Sequence, residues 1–323
     1  MNLQHFKTIF SDDLKSIYPQ TEIDTFFFYI IEDYLGFQRI DVIMKSDFKI
    51  TKEKQLLFNN VIQRLKNEEP IQYILGNTEF YGYPFLVNKN TLIPRPETEE
   101  LVEWILSEFS NIKNLQHDEV LKPLTILEIG TGTGCIPISL KKNLSNSDVS
   151  AIDISKEALK IAKENAKLNS VDVNFIEQDI LKTDDLNFVS STSTDLKFVS
   201  STSTDLKFVS STSTDLKFDV IVSNPPYVRE LEKVEIKNNV LKNEPHLALF
   251  VDDNNPLIFY DKIADLAKKH LTKNGLLFFE INQYLGKETV KMLTDKGFKN
   301  IELRKDFSGN DRMIKASFSN KSA

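Results

Sequence analysis

Two short segments combine residue types that could bind a charged ligand and act on a second one. The first, Gly130-Thr131-Gly132-Thr133-Gly134, holds three of the ten glycines of the chain and follows an apolar run that ends at Ile129. Glycine permits positive φ and close backbone approach, which suits a ligand pressed against a turn. The second, Ser223-Asn224-Pro225-Pro226-Tyr227, follows the apolar run 218–222. Its prolines supply carbonyls but no N–H, so this turn offers hydrogen-bond acceptors to a polar group.

The spacing around the glycine turn distinguishes two classes of nucleotide site. A dinucleotide fingerprint reads G-x-G-x-x-G and would need glycine at Cys135, whereas the glycines here form G-x-G-x-G. Asp153 follows nineteen residues after Gly134, at the end of the next predicted strand. A carboxylate at that point can accept hydrogen bonds from a ribose diol. The turn therefore predicts a charged adenosine ligand and does not specify a diphosphate.

S-adenosylmethionine meets these requirements. Its carboxylate can bind at the glycine turn and the amino end of the following helix, and its sulfonium tolerates a nearby acid such as Glu128. Asp179, after the third predicted strand, can accept a hydrogen bond from the adenine amino group, with Ile180 as an apolar cover for the ring. The predicted cofactor-binding residues are Glu128, Gly130, Thr131, Gly132, Thr133, Gly134, Asp153, Asp179, Ile180 and Asn224.

The second turn suits methylation of a planar NH2 group, whose nitrogen lone pair is delocalised. If Asn224 Oδ1 and the Pro225 carbonyl each accept one N–H, the nitrogen is held with its lone pair toward the methyl donor, and geometry and electrostatics supply the rate. Tyr227 can stack on the flat group. We predict Asn224, Pro225 and Tyr227 as catalytic residues and the whole run Asn224 to Tyr227 as the substrate-binding segment.

Alternating strands and helices position both turns. Apolar strands are predicted at 125–129, 150–154, 173–176, 218–222, 276–281, 301–304 and 313–318, with helices from Cys135, at 155–169, about 256–272 and 284–296. This alternation predicts an α/β fold with a mostly parallel sheet that is covered by helices on both faces. Ligands bind such sheets at the carboxyl ends of the strands, which is where both turns fall.

The segments before the sheet do not follow the alternation of strands and helices. The pattern of residues 1–75 predicts a small domain of amphipathic helices, one of which begins with a capping box at Thr21 and Asp24 and ends at Gly36. The cluster Phe26-Phe27-Phe28 is interpreted as its core. Residues 76–110 hold a hairpin and a helix that begins at Pro96, followed by carboxylates that suit its dipole. Residues 111–323 form the methyltransferase domain.

Residues 188–217 interrupt the pattern with three identical decamers, Phe-Val-Ser-Ser-Thr-Ser-Thr-Asp-Leu-Lys. Three such copies carry too few apolar groups for a core of their own, and lengthening a loop costs entropy only logarithmically. We interpret this segment as a tolerated surface insertion.

Composition excludes several classes of protein. The net charge is −7, from 40 Lys and Arg against 47 Asp and Glu, so we expect no direct nucleic-acid substrate. A single cysteine excludes an intramolecular disulfide, and the first residues lack the regions of a signal peptide. No apolar run is long enough to span a bilayer. Four scattered histidines show no ligand spacing, so we predict no metal. We expect a cytoplasmic monomer with no membrane association.

Several motifs together resemble the HemK-type protein-glutamine methyltransferases. The resemblance extends over nearly the whole chain and implies a Rossmann-like, S-adenosylmethionine-dependent methyltransferase fold, with a mostly parallel seven-stranded sheet and a small amino-terminal helical bundle. It also implies that the bundle grips a class I peptide chain release factor, that Asn224 to Tyr227 hold the glutamine of its Gly-Gly-Gln motif, and that Arg95 and Glu97 shape the cleft. The motifs are Gln72-Tyr73-Ile74-Leu75-Gly76, Phe80-Tyr81-Gly82, Ile93-Pro94-Arg95-Pro96-Glu97-Thr98-Glu99, Gly130 to Gly134, Asn224 to Tyr227, Asn243-Glu244-Pro245 and Asp306 to Arg312.

Other functions remain open on the sequence. The same chemistry could methylate a glutamine of a ribosomal protein, and an Asn-Pro-Pro-Tyr turn also serves methylation of adenine in DNA or RNA. The acidic charge weighs against adenine methylation. A dinucleotide-dependent oxidoreductase would need the third glycine one residue later. An inactive relative that only binds is a further alternative.

Overall fold

The computed structural model describes residues 1–109, 122–186 and 216–318. The decamers at 188–217 lie outside these ranges except for their last two residues. Contacts divide the chain into two units. The helical unit comprises Met1–Asn77, Val87–Lys89 and Glu235–Glu244, and the sheet unit comprises Thr78–Leu86, Asn90–Val234 and Pro245–Ala323. The division at residues 75 and 110 that we expect from the sequence stays a prediction.

The helical unit is built on helices α1 (Leu3–Leu14), α2 (Gln20–Leu35), α3 (Arg39–Met44), α4 (Lys52–Lys66) and α5 (Ile71–Leu75). Its core is aromatic: the rings of Phe6 and Phe58 stack with centroids 4.5 Å apart. Such pairs add about 1 kcal/mol beyond the burial of their area. Of the predicted cluster, Phe26 and Phe27 are buried, and Phe28 is partly buried and packs against the same core. The predicted capping box at Thr21 is wrong, because the N-cap of α2 is Pro19, two residues earlier, and it makes no side-chain cap.

The sheet unit begins with the predicted hairpin of β1 (Asn77–Phe80) and β2 (Tyr83–Leu86), followed by α6 (Pro96–Glu108). Pro96 occupies the first turn of α6, and acidic residues follow it there. This arrangement confirms the predicted start of the helix, since proline needs no hydrogen-bond partner at that position and carboxylates stabilise the positive end of the dipole.

The main sheet has seven strands in the described residues, in the order β10-β11-β9-β6-β3-β4-β5. Strands β3, β4, β5, β6 and β9 run parallel, and β11 pairs antiparallel with both β9 and β10. The predicted mostly parallel sheet is therefore confirmed. Its strands are β3 (Leu124–Ile129), β4 (Ser147–Asp153), β5 (Asn174–Glu177), β6 (Phe218–Ser223), β9 (Leu271–Glu280), β10 (Lys299–Lys305) and β11 (Asp311–Ser317), and the short pair β7 (Val228–Arg229) and β8 (Phe250–Val251) lies outside it.

The central strands β3, β4 and β6 are largely buried on both faces, which explains their continuous apolar runs. In β3, Ile126 belongs to one hydrophobic cluster and its neighbour Leu127 to another, and both are fully buried. Successive side chains of a strand point to opposite faces, so each face carries its own core. The remaining helices are α7 (Cys135–Asn143), α8 (Lys156–Leu168), α9 (Asn238–Asn243), α10 (Ile258–His270) and α11 (Gly286–Asp295).

Helix α9 belongs to the helical unit although it follows β6 by many residues. Lys242 pairs with the Glu68 carboxylate, and Asn243 Nδ2 donates to the Glu68 carbonyl at 3.1 Å. The sequence analysis did not anticipate this association. Within the Asn243-Glu244-Pro245 motif, the first two residues belong to the helical unit and Pro245 belongs to the sheet unit.

Candidate active site

The two turns singled out in the sequence meet where the strand order of the sheet reverses. The chain passes from β3 outward to β4 and β5 and then returns to β6, on the other side of β3. Ile129 and Ser223 are register partners at the ends of β3 and β6, and Ser223 Oγ donates to the Ile129 carbonyl at 2.6 Å. Such a switch point opens a crevice outside the carboxyl ends of the strands. The glycine turn and the Asn224 turn are therefore neighbours.

The glycine turn is held mainly by bonds within the protein. Gly130 and Thr131 N–H both donate to the Ile152 carbonyl, Gly132 N–H donates to Asp153 Oδ2, and Gly134 N–H donates to the Thr131 carbonyl. We expected these amides to bind the carboxylate of the cofactor. Four of the five turn amides already have partners within the protein, so the binding of a carboxylate by this turn stays a prediction.

Gly134 serves packing rather than ligand contact. Its φ is +79°, and a Cβ at this position would lie 3.0 Å from Ile138 Cδ1 and 3.2 Å from the Ala162 Cβ. A side chain would therefore strain the backbone and press on α8. The third glycine brings α7 and α8 close together, as the third glycine of a nucleotide-binding turn commonly does.

A cavity of about 320 Å³ opens beside both turns. Among the predicted site residues, those that line it are Gly130, Gly132, Asp153, Asp179, Ile180, Asn224, Pro225 and Pro226. Those that do not line it are Glu128, Thr131, Thr133, Gly134 and Tyr227. The structure therefore brings together the residues predicted for the ribose, the adenine and the substrate amide, and leaves part of the glycine turn behind the cavity wall.

Asp153 is fixed at the cavity by backbone hydrogen bonds. Its Oδ2 accepts from Gly132 N and its Oδ1 from Ser155 N, both at 2.8 Å. Burial raises the pKa of this carboxyl, and the backbone hydrogen bonds partly offset the effect. Each carboxylate oxygen has a further acceptor position, so the group can still receive hydroxyl donors from the cavity.

Asp179 lies on the cavity wall with a different environment. Lys182 Nζ approaches its Oδ2 at 3.0 Å and Leu181 N donates to its Oδ1 at 3.1 Å. The hydrogen bond from Lys182 lowers the pKa of this carboxyl, so the group accepts hydrogen bonds at neutral pH. Ile180, which is 8% exposed, follows directly and is an apolar part of the same wall.

Glu128 is buried behind the turn. It is 1% exposed, and its Oε2 has no hydrogen-bond partner among the described residues. Burial raises its pKa well above the ordinary value; the Thr131 hydroxyl counters the effect, and Asp153 adds to it. A buried carboxyl with an unsatisfied oxygen is costly in the isolated protein, and a cationic ligand nearby would reduce the cost.

The Asn224 turn is tied to a polar network that the sequence analysis missed. Asn224 Nδ2 donates to Thr98 Oγ1 at 3.2 Å, and the Thr98 hydroxyl donates to Glu280 Oε2 at 2.6 Å. The Tyr227 hydroxyl donates to Glu280 Oε1 at 3.2 Å and lies 3.4 Å from Arg312 Nη1. The network thus joins α6, the second turn and the end of β9.

This network also restrains the backbone of the turn. Asn282 Nδ2 donates to the Tyr227 carbonyl at 2.9 Å. Burial raises the pKa of the Tyr227 hydroxyl, so the group stays protonated. The positive charge of Arg95 lowers the same pKa to a smaller extent. The Tyr227 hydroxyl is engaged inside the protein, and the role of its ring in stacking on the substrate stays a prediction.

Two of the missed residues had a signal in the sequence. Thr98 lies in the Ile93-to-Glu99 run, in which we assigned a role to the carboxylates and none to the threonine hydroxyl. Glu280 is the last residue of a strand and lies at the carboxyl edge of the sheet. Ligands of such sheets bind at this edge, so functional side chains are expected there. Glu97 raises the pKa of Glu280 further, beyond the effect of burial, so this glutamate also lies near the network.

The cavity fits S-adenosylmethionine. Two carboxylates, Asp153 and Asp179, can accept hydrogen bonds from a ribose and an adenine amino group. The remaining wall is largely apolar and suits a flat ring. Its apolar members include Leu92, Ile129, Ile152, Ile180, Leu181, Leu247, Phe259 and Ile263.

Family models and curated relatives also indicate a methyltransferase. A methyltransferase domain model matches residues 121–299, and a PrmC N-terminal domain model matches residues 10–76. The release factor glutamine methyltransferase of Flavobacterium psychrophilum is 51% identical over 98% of this chain and 100% of its own length. That of Bacteroides thetaiotaomicron is 40% identical over 94% of this chain and 95% of its own length.

Solved structures support the fold alone. The hMettl16 catalytic domain matches with a TM-score of 0.51 and 13% identity, covering 84% of each chain. Within the described ranges, no helix is both long and apolar enough to cross a membrane. The fold and the matches identify an S-adenosylmethionine-dependent methyltransferase. The chain belongs to the family of release factor glutamine methyltransferases.

Proposed function

We propose that this enzyme transfers a methyl group from S-adenosylmethionine to the side-chain amide nitrogen of the glutamine in the Gly-Gly-Gln motif of class I peptide chain release factors. The observation that carries the proposal is the position of the Asn224 turn: Asn224, Pro225 and Pro226 line the same cavity as Gly130 and Asp153. The family and the names of the curated relatives support the choice of substrate.

In this mechanism the turn holds the glutamine amide as a hydrogen-bond donor. Asn224 Oδ1 and the Pro225 carbonyl each accept one N–H, which fixes the plane of the amide and the direction of the nitrogen lone pair. Both acceptors carry partial negative charge, so they stabilise the positive charge that develops on nitrogen. Pro225 is buried, and its ring keeps the backbone of the turn rigid.

The cofactor, when bound, supplies an electrophilic methyl group on a sulfonium. Asp153 and Asp179 bind and orient it through acceptor oxygens, and Gly130 and Gly132 allow it to approach the backbone. Because release factors act on the ribosome, the proposal implies a cytoplasmic enzyme.

Labelled S-adenosylmethionine tests the proposal directly. The enzyme is incubated with a release factor, with the same factor carrying alanine at the tip glutamine, with ribosomal proteins, or with adenine-containing oligonucleotides. We expect label in the unchanged factor alone. Label that persists in the alanine variant, or that enters ribosomal protein or oligonucleotide in preference to the factor, would overturn the proposal.

A further inference from the structure

A chain of hydrogen bonds reaches from the buried end of β9 to the Asn224 amide. Glu280 is 1% exposed and Thr98 is 3% exposed. Glu280 Oε2 lies 2.6 Å from Thr98 Oγ1, and Thr98 Oγ1 lies 3.2 Å from Asn224 Nδ2. The three residues come from β9, α6 and the second turn, so the tertiary structure alone brings them into one line.

The number of hydrogens determines the direction of this chain. A threonine hydroxyl carries one hydrogen, and a carboxylate carries none. When Thr98 donates its hydrogen to Glu280, its oxygen can only accept from Asn224. The NH2 end of the Asn224 amide must then face Thr98, which leaves Oδ1 as the amide atom available to a ligand in the cavity that Asn224 lines.

We infer that Thr98 and Glu280 are positioning residues that fix the orientation of the Asn224 amide and thereby make the site select a glutamine amide over a glutamate carboxylate. The inference rests on the proposed function for its substrate. An exposed Oδ1 accepts an N–H from glutamine but repels a carboxylate oxygen. A rotated amide would present Nδ2 instead and would favour the carboxylate, so the orientation sets the specificity.

The surroundings of Glu280 support its role as the fixed acceptor. Its two oxygens accept from two hydroxyls, those of Thr98 and Tyr227. Burial raises the pKa of this carboxyl, and the Thr98 hydrogen bond and the charge of Arg312 act in the opposite sense. Arg312 is itself held by Asp306, with Nε 3.0 Å from Oδ2, so the balancing charge is fixed in place.

The test uses two substitutions at Thr98. Thr98→Val keeps the shape of the side chain and removes the hydroxyl, and Thr98→Ser keeps the hydroxyl. Thr289→Val is the matched control, because Thr289 is also fully buried and donates to a backbone carbonyl, that of Leu285, away from the cavity. Each full-length variant is assayed for turnover and cofactor affinity, and for binding of release factors with glutamine or glutamate at the tip.

We expect Thr98→Val to lower kcat by about 10-fold or more while the cofactor dissociation constant stays within about twofold. The preference for the glutamine form over the glutamate form should narrow in Thr98→Val, whereas Thr98→Ser should restore both turnover and preference. Thr289→Val should change neither. An unchanged preference in Thr98→Val, or a Thr98→Ser enzyme as impaired as Thr98→Val, overturns the inference.

A second measurement does not depend on the substrate. The Asn224 side-chain NH2 signals in a proton–nitrogen correlation spectrum are assigned by their loss in Asn224→Asp. Removing the Thr98 hydroxyl should shift these signals and speed their exchange with water, and unchanged signals would overturn the inference. If the wild-type enzyme fails to methylate the release factor while the Asn224 signals respond as expected, the proposed function fails and the fixed orientation stands.

Discussion

The imidazole Nε2 of His270 lies 2.5 Å from Asp185 Oδ1, at the end of the described segment that precedes the tandem decamers. The other ring nitrogen, Nδ1, lies 2.8 Å from the carbonyl of Leu216, in the last decamer. One buried side chain near the end of α10 therefore contacts the chain on both sides of the insertion. The two ends are held side by side whatever the number of residues between them.

This arrangement predicts that most of the insertion is dispensable. Deleting residues 188–207 removes two decamers and retains Leu216 and its bond to His270. Because loop entropy depends only on the logarithm of loop length, the free energy of unfolding should change by about 1 kcal/mol or less. Melting temperature and methylation rate are measured beside the full-length enzyme. A collapse of either would show that the decamers take part in folding or activity.

Asn224→Ala tests the acceptor at the centre of the proposed mechanism. Without Oδ1 the substrate nitrogen loses one of its two acceptors, so kcat should fall by about 100-fold or more. The cofactor dissociation constant, measured by calorimetry, should change little because the carboxylates on the cavity wall remain. Asn254→Ala, at an exposed asparagine outside the cavity, is the control. Full activity in Asn224→Ala would remove Asn224 from the mechanism.

The raised pKa of Glu128 should make the free energy of unfolding of the ligand-free enzyme depend on pH. Its pKa is raised well above the ordinary value in the folded state by burial, so the folded protein holds a proton that the unfolded chain releases above about pH 4.3. Stability then falls as pH rises above that value, by about 1.4 kcal/mol per pH unit, until the folded pKa is reached. Glu128→Gln cannot ionise and lacks this loss.

The measurement is chemical denaturation of both proteins between pH 4 and 8. The two free energies of unfolding should be similar near pH 4, and the variant should become progressively the more stable of the two toward pH 8. Parallel curves over this range would contradict the assignment of a raised pKa to Glu128.

We expect substitution of Asn165, which lies outside the cavity, to lower the stability of the fold strongly. Its Oδ1 accepts from Leu86 N at 2.6 Å, and its Nδ2 donates to the carbonyls of Leu86 and Thr133 at 3.0 and 2.9 Å. Asn165→Ala removes the partner of three backbone groups, of which the Thr133 carbonyl bond is buried and the two Leu86 bonds are partly buried, and should cost about 2 to 4 kcal/mol. Glu164→Ala, at the exposed neighbouring residue, should stay within about 0.5 kcal/mol in thermal unfolding. Equal melting temperatures for the two variants would contradict the prediction.

Much of the architecture follows from local patterns in the sequence. The runs around Leu127 and Val220 are continuous and apolar because parallel strands are covered on both faces, and this property is visible without tertiary information. The turn at Gly130 and the turn at Asn224 each follow such a run, and the strand-end rule then predicts that they share a crevice. Their types and spacing were sufficient to indicate adenosine binding and methylation of a planar amide.

Only the tertiary structure decided which atoms of these turns are available. Thr98 and Glu280 are separated by 182 residues, and whether their side chains meet depends on how α6 packs on β9. Asn165 and Leu86 are separated by 79 residues and likewise meet only through packing. Helix patterns also gave no indication that Glu235–Glu244 joins the helical unit.

The glycine turn shows most clearly which properties follow from the sequence and which follow from the tertiary structure. Its composition by itself predicted that the backbone can approach a ligand closely, because glycine alone tolerates positive φ without cost. The structure decided that Gly134 instead admits a helix and that most of the turn amides bond within the protein. Conformational preference is a local property of a residue, whereas the satisfaction of a hydrogen bond depends on whatever the rest of the chain brings to it.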